Sequence, residues 1–189
     1  MHVREAVQSL HENPVIAAIR DRELLPQAVQ SPTSFVFLLS ADIMTLDEDM
    51  KMLEAAGKQV FIHMDLISGL GRDAAGIRFL KRNWHPAGVI STQQHLVKAG
   101  QDEGLLTVQR IFLMDHYAIT TGLRLVRAAR ADFIELLPGV IPKAIQKVHE
   151  QIQQPIIAGG MIAEKSEVMQ ALQAGALAVS TGTSSLWYA

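Results

Sequence analysis

Two short glycine-containing segments near the carboxyl terminus hold the residues with the clearest chemical use. Ala158-Gly159-Gly160 follows one apolar run, and Ser180-Thr181-Gly182-Thr183 follows the next. Glycine lets the backbone approach an anion closely, and successive backbone N–H groups can point at one oxyanion. Glycine after a strand is also ordinary turn chemistry, so it is the pair of segments that indicates a phosphate site. The candidate phosphate ligands are Gly159, Gly160, Thr181, Gly182 and Thr183, with the two threonine hydroxyls as additional donors.

Four polar residues near the ends of other apolar runs could complete this site. They are Arg20, Asp65, Gln109 and Glu135. The carboxylates would accept hydrogen bonds from ligand hydroxyls, and Arg20 would attract an anion. Because buried charges are normally paired, the same side chains could instead form an internal ion-pair network with no ligand. Both interpretations remain open from the residue types alone.

Eight strand-like apolar runs would position these residues. Their spacing fits one strand, one crossover helix and two short loops for each unit. Strict alternation of strands with helical patterns predicts a parallel sheet that is covered by helices. The runs are Val15–Ile19, Phe35–Leu39, Gln59–Leu66, Ala87–Ile90, Leu105–Phe112, Asp132–Leu137, Pro155–Ala158 and Ala176–Ser180.

Eight units favour the α/β fold of a (β/α)8 TIM-type barrel over a doubly wound open sheet. An open dinucleotide-binding sheet needs glycines after its first strand, whereas Arg20-Asp21-Arg22-Glu23 stands there. We therefore predict that residues 1–189 form a single, compact barrel domain. Little chain follows the last run, so we expect the eighth helix to be short or replaced by the amino-terminal segment Val3–His11.

The two-residue period of a strand predicts which side chains face the barrel interior. In the third run, His63 and Asp65 alternate with apolar residues, so we expect both to face inward, with Asp65 nearer the mouth. Glu135 is predicted to face inward by the same pattern. Gln109 and Arg110 are neighbours that must face opposite sides, and we favour Gln109 as the inward residue. An inward His63 below the mouth is typical of a core residue.

Composition excludes several classes of protein. Of the 189 residues, 49% are hydrophobic and 19% are charged, as in an ordinary globular protein. No apolar run approaches the ~18 residues of a membrane span, so no membrane partner is expected. The absence of cysteine excludes disulfides and thiol chemistry, and it is compatible with a cytoplasmic location. The net charge of −2 means that any nucleic-acid binding would need a local basic patch.

Metal, cofactor and covalent chemistry are poorly supported. His63 and Asp65 form one isolated pair, and no further ligand stands near them to complete a metal site. Every lysine falls in a predicted helix or loop or at a strand entry, which disfavours a Schiff base. We therefore predict no metal and no cofactor, and we assign no catalytic residue.

Two basic stripes on predicted helices could contact RNA phosphates. The first contains Arg78, Lys81 and Arg82, and the second contains Arg124, Arg127 and Arg130. Trp84 and His85 follow the first stripe and could stack on bases. A charged stripe is more often the solvated face of a helix, so these six residues are tentative RNA ligands.

The sequence resembles the glycerol uptake operon antiterminator family, the bacterial regulators responsive to glycerol 3-phosphate. The likeness runs nearly end to end and is most specific at His63-Met64-Asp65-Leu66-Ile67 and at Glu135-Leu136-Leu137-Pro138-Gly139-Val140-Ile141-Pro142. Further matching segments begin at Pro14, Pro86, Gly104 and Pro155. The segment at Ala158-Gly159-Gly160 is shared with many phosphate-binding barrels.

This resemblance implies a function that composition does not reveal. Family members are thought to bind an mRNA leader in the presence of glycerol 3-phosphate and so to prevent premature transcription termination. The glycine segments would then hold the phosphate of glycerol 3-phosphate, and the leader mRNA of a glycerol operon would be the partner. Two alternatives stay open: an enzyme acting on a small phosphorylated substrate, with Asp65 or Glu135 as general base, and a phosphate-binding barrel without turnover or RNA partner.

Overall fold

Eight parallel strands close into a barrel in the computed structural model, which describes residues 1–114 and 116–188, apart from the side chains at 116–120, 125 and 127. Each strand pairs in parallel with the next, and β8 pairs with β1, which closes the barrel. This arrangement confirms the predicted (β/α)8 fold. The strands are β1 (Val15–Ile19), β2 (Phe35–Leu38), β3 (Gln59–His63), β4 (Gly88–Ser91), β5 (Leu106–Phe112), β6 (Phe133–Leu137), β7 (Ile156–Gly159) and β8 (Ala178–Thr181).

One helix precedes the first strand, and one helix follows each of the first seven barrel strands. Pro26 lies in the first turn of the second helix, where a backbone N–H has no partner within the helix, so the lack of an N–H in proline costs no hydrogen bond. A separate pair of two-residue parallel strands, Ala41–Asp42 and Ile67–Ser68, lies in the loops after β2 and β3. The helices are α1 (Val3–Glu12), α2 (Leu25–Gln30), α3 (Leu46–Ala55), α4 (Ala74–Trp84), α5 (Gln94–Asp102), α6 (His116–Ala129), α7 (Pro142–His149) and α8 (Lys165–Gln173).

The eighth helical position holds the short 3-10 helix Ser184–Tyr188. Trp187 anchors it, since its side chain is 1% exposed and its indole N–H donates to the carbonyl of Thr181 at 2.8 Å. A short eighth helix was one of the two predicted alternatives. The other, replacement by the amino-terminal segment, is wrong because α1 packs elsewhere: its Ala6 and Leu10 join the apolar cluster inside the barrel.

Side chains that alternate along each strand fill the barrel interior. Four phenylalanines dominate this cluster, and the rings of Phe37 and Phe61 lie 5.5 Å apart between centroids. The phenylalanines are Phe35, Phe37, Phe61 and Phe133. A second apolar layer lies between the strands and the outer helices. Because Ala6, Leu10 and these rings fill this part of the interior, the polar groups gather above them, at the carboxyl ends of the strands.

Candidate functional site

A cavity of about 260 Å³ opens at the carboxyl ends of the strands, above the phenylalanine layer. We call it the mouth cavity. It brings together charged residues from β1, β5 and β6 with the glycine segments that follow β7 and β8. Its lining residues are Ala18, Arg20, Leu39, Arg110, Glu135, Leu137, Gly160, Ser180 and Gly182.

A buried ion pair forms the floor of the mouth cavity. Arg110 and Glu135 are register partners on neighbouring strands, and Nε of Arg110 donates to Oε2 of Glu135 at 2.6 Å. The two residues are 5% and 1% exposed. The hydroxyl of Ser180 donates to the other carboxylate oxygen, Oε1, at 2.6 Å. A buried carboxylate needs such partners, because an unpaired buried charge is costly. Glu135 faces inward, as its strand period predicts.

Gly159 makes room for this arrangement. A Cβ atom at Gly159 would lie 2.6 Å from Oε1 of Glu135 and 2.6 Å from Oγ of Ser180. Any larger residue would therefore disrupt the hydrogen bond between Ser180 and Glu135. Gly160 lines the mouth cavity with a backbone φ of +77°, a conformation that favours glycine. The first glycine therefore supports the floor of the cavity, and the second presents backbone to it.

Arg20 lies at the end of β1 and is exposed at the mouth cavity. Within the part of the chain that the structure describes, no carboxylate forms an ion pair with its guanidinium. Arg22, two residues later, differs: it binds Glu48 at 2.8 Å and Asp49 at 2.7 Å, outside the cavity. Since Arg110 and Glu135 neutralise each other, Arg20 gives the mouth cavity a net positive charge suited to an anion.

The hydroxyls of Thr181 and Thr183 do not point into the mouth cavity. Both donate to the carbonyl of Ile162, at 2.7 Å and 3.3 Å, and so tie the loop after β7 to the loop after β8. The N–H of Thr183 donates to Oγ1 of Thr181 at 3.1 Å. Both hydroxyls are therefore used within the protein in this structure, and their role as phosphate donors stays a prediction. The inward residues of this segment are Ser180 and Gly182.

Asp65 also lies outside the mouth cavity. The predicted third strand is too long: β3 ends at His63, and Met64–Leu66 forms a 3-10 turn that breaks the strand period. Asp65 instead accepts hydrogen bonds from the end of β4 and the loop after it: one of 2.6 Å from the Ser91 hydroxyl and one of 2.7 Å from the Thr92 N–H. Burial alone would raise the pKa of Asp65, but these hydrogen bonds outweigh it and hold the pKa below its ordinary value. Asp65 organises a loop.

Gln109 faces away from the barrel interior, so its predicted inward orientation is wrong. Its amide Nε2 donates to the carbonyls of Ser91 and Thr92 at 3.2 Å and 2.9 Å. Arg110 faces inward in its place. A usable signal was present in the sequence, because an inward Glu135 needs a cation and Arg110 is the basic residue within the neighbouring strand. Ser180 was missed because a small hydroxyl residue gives no distinctive pattern.

His63 lies inside the barrel, as predicted, and is 3% exposed. Burial, followed by the charge of Arg110, lowers the pKa of His63 to about 4. Its ring atom Nδ1 has no hydrogen-bond partner among the described residues. His63 is thus a neutral core histidine near neutral pH.

The two basic stripes are only partly intact in the structure. On α4, Nε of Arg78 donates to Oε1 of Glu103 at 3.1 Å, whereas Arg82 is exposed. On α6, Arg124 is exposed, but the helix ends at Ala129. Arg130 follows that end with φ of +49°, so the predicted three-residue helical stripe is wrong at this position. The side chain of Arg127 lies outside the described residues.

Over residues 1–114 and 116–188, no group of three described His, Cys, Asp or Glu side chains could hold a metal ion. None of the helices in that part of the chain combines the length and the apolarity that crossing a bilayer requires.

Comparison with known proteins gives concordant results. The profile of a family described as glycerol-3-phosphate responsive antiterminator matches residues 15–187. An uncharacterized protein of Escherichia coli strain K12, YgcP, is 36% identical over 178 residues, which cover 94% of this chain and 93% of that protein.

Solved structures agree with the profile. The glycerol uptake operon antiterminator regulatory protein of Listeria monocytogenes aligns with a TM-score of 0.88 and 32% identity, over 93% of this chain and 95% of that one. A glycerol uptake operon antiterminator-related protein of Thermotoga maritima aligns with a TM-score of 0.81 and 30% identity, over 92% of this chain and 96% of that one. A putative deoxyribose-phosphate aldolase of Coccidioides immitis aligns at 0.70 with 11% identity, over 95% of this chain and 84% of that one, which shows the shared barrel alone.

Proposed function

This chain belongs to the glycerol-3-phosphate responsive antiterminator family, and we propose that glycerol 3-phosphate is its effector and binds in the mouth cavity. The observation that carries this proposal is that Arg20, which forms no ion pair within the described residues, lines the mouth cavity together with Gly160 and Gly182 of the glycine segments after β7 and β8. These segments are the usual phosphate position of a TIM-type barrel.

The two ends of the effector match two parts of the cavity. Its phosphate lies against Arg20 and the backbone of Gly160 and Gly182. Its hydroxyls reach the Arg110–Glu135 pair, where a carboxylate can accept and a guanidinium can donate. The volume of about 260 Å³ is slightly below the ~300–1,000 Å³ of pockets for larger organic ligands, as a three-carbon phosphate requires.

Isothermal titration calorimetry with glycerol 3-phosphate tests this assignment. Arg20→Met should weaken binding at least about tenfold, because a hydrogen-bonded charge contributes ~1.5–3 kcal/mol. Arg22→Met is the matched control, since Arg22 is a neighbouring arginine whose ion pairs lie outside the cavity. Equal affinity for the wild-type protein and Arg20→Met would place the phosphate elsewhere.

We further propose that the effector-bound protein binds the leader mRNA of a glycerol operon. The candidate contacts are the basic residues of α4 and α6, of which Arg82 and Arg124 are exposed. For the effector to promote RNA binding, it must bind the RNA-competent conformation more tightly than the other, and RNA must in turn raise the affinity for the effector. This reciprocity makes the coupling measurable from either ligand.

An enzymatic role finds less support in the cavity. Its candidate base, Glu135, is occupied by Arg110 and Ser180, and the other candidate, Asp65, is held in a loop. No lysine is among the lining residues of the mouth cavity, so a Schiff-base reaction has no nucleophile there. Turnover of a phosphorylated substrate, tested with purified protein, would contradict the regulator proposal.

A further inference from the structure

Lys58 is a buried cation without a countercharge at the amino-terminal end of the barrel. It is 8% exposed, and its ammonium donates to the carbonyls of Ser31 and Thr33 at 2.6 Å and 2.7 Å. Over the described ranges of the chain, no carboxylate forms an ion pair with it. Burial also lowers the pKa of Lys58. Because buried charges are normally paired, an anion next to the Lys58 ammonium would stabilise its charged form.

Lys58 lines a cavity of about 390 Å³, which we call the amino-end cavity. Lys81 and His85, from the end of α4, line it as well. The ammonium of Lys81 donates to the carbonyl of Glu103, while the carboxylate of Glu103 binds Arg78 instead. Two lysines and one histidine therefore line the same cavity.

The shape of this cavity leaves room beside the cations. Gly57 and Gly104 both line it, and a Cβ atom at Gly57 would meet no atom within 4 Å. A Cβ atom at Gly104 would lie 3.6 Å from Nζ of Lys81. Glu54 is the acidic residue of the lining; it is exposed and forms no ion pair with these lysines in the described structure.

We propose that the amino-end cavity is a second anion site, which takes a phosphate ester between Lys58, Lys81 and His85. An ammonium has three donors, and the hydrogen bonds of Lys58 use two of them, which leaves one for an oxyanion. Lysine binds phosphate as a compact point charge. The cavity lies at the opposite end of the barrel from Arg20, so the two sites hold separate ligands.

The phosphate ester can come from an RNA backbone or from a small free molecule. The RNA source extends the function proposed above, and rests on it, because Phe79 and Trp84 form an edge-on aromatic pair beside Arg82 on the same stretch of α4. Aromatic side chains next to cations are typical of single-stranded RNA contacts. A free phosphate needs only the two lysines and the histidine.

The test follows the ring resonances of His85 by NMR during titration with inorganic phosphate, in Gly160→Asp protein whose mouth site is blocked. His85 should shift and saturate, and Lys81→Gln should weaken binding about tenfold. Lys58→Met should also weaken it and serves as a second variant. Lys98→Gln is the control, because Lys98 is an exposed lysine paired with Asp102 outside the cavity.

A second arm measures fluorescence anisotropy of a labelled single-stranded leader RNA with the wild-type protein, Lys81→Gln and Lys98→Gln. A loss of RNA affinity in Lys81→Gln alone identifies an RNA phosphate as the ligand. Unchanged RNA affinity together with a saturable His85 shift identifies a small phosphate. If His85 responds to neither ligand, or Lys81→Gln and Lys98→Gln behave alike, the second site is refuted. Effector calorimetry at Arg20 is independent of all these outcomes.

Discussion

Gly159→Ala is the substitution that most directly probes the floor of the mouth cavity. The added methyl group would lie 2.6 Å from both Oε1 of Glu135 and Oγ of Ser180, well inside the 3.4 Å at which ordinary contact begins. These two atoms are themselves hydrogen-bonded at 2.6 Å. Alanine must therefore push them apart or displace β7, because Glu135 is also held by Arg110 on its other side.

The loss of stability in Gly159→Ala has two parts. Loss of a hydrogen bond to a charged group costs ~1.5–3 kcal/mol, and an extra methyl group in a packed interior costs ~1–3 kcal/mol. We expect Gly159→Ala to lower the free energy of unfolding by about 2.5–6 kcal/mol. Binding of glycerol 3-phosphate should weaken as well, because Glu135 would no longer hold its position.

A double-mutant cycle tests this cost: the free energy of unfolding is measured in urea for the wild-type protein, Gly159→Ala, Ser180→Ala and the double variant. Ser180→Ala removes the hydroxyl that the methyl group would strike, so the two substitutions should be non-additive by at least ~1 kcal/mol. Additivity within ~0.5 kcal/mol would refute the inferred steric conflict. Gly57→Ala serves as a control, since a Cβ atom there meets no atom within 4 Å although its φ of +72° adds backbone strain.

Three further predictions concern Gly160, His63 and the arginines of α6. Gly160→Asp should abolish calorimetric binding of glycerol 3-phosphate by placing a carboxylate against its phosphate. Gly160→Asn carries the same backbone strain without the charge and should retain some binding. An equal loss of affinity in both variants would show that the backbone strain alone is responsible. Because the pKa of His63 is lowered to about 4 from its ordinary value of ~6.5, the folded state binds fewer protons, so stability should fall by about 3 kcal/mol as pH drops from ~6.5 to ~4. His63→Leu should lack this part of the pH dependence in urea unfolding, and an identical profile would contradict the burial of a neutral ring. Arg124→Glu combined with Arg127→Glu should weaken leader RNA binding and reduce its salt dependence while sparing the effector; unchanged values would move the RNA surface elsewhere.

The barrel was predictable because its signal is repeated eight times. Each unit carries an apolar run and a helical stripe, and an error in one unit leaves the others intact. The family resemblance was confirmed by the match over residues 15–187. The place of α1 could not be predicted in the same way, since an amphipathic helix can pack its apolar face against the interior side chains or against the outside of the strands. In the structure, Ala6 and Leu10 of α1 pack with the phenylalanines of the interior.

The site was harder to predict because side-chain direction depends on where each strand ends. The turn at Met64–Leu66 keeps Asp65 out of the mouth cavity, although the alternating sequence pattern continues past His63. In β5 the period of two was clear, but its phase was not, and that phase decides between Gln109 and Arg110. Charge pairing with Glu135 would have fixed it. Hydrogen bonds between loops, such as those of Thr181, have no counterpart in a sequence pattern.

The measurement that tests the central claim most directly is the affinity of the purified protein for a glycerol operon leader RNA, with and without glycerol 3-phosphate. The proposed function predicts tighter RNA binding with the effector, and loss of this difference in Arg20→Met but not in Arg22→Met. Equal RNA affinity in both conditions, in a protein that still binds the effector, would contradict an effector-gated antiterminator.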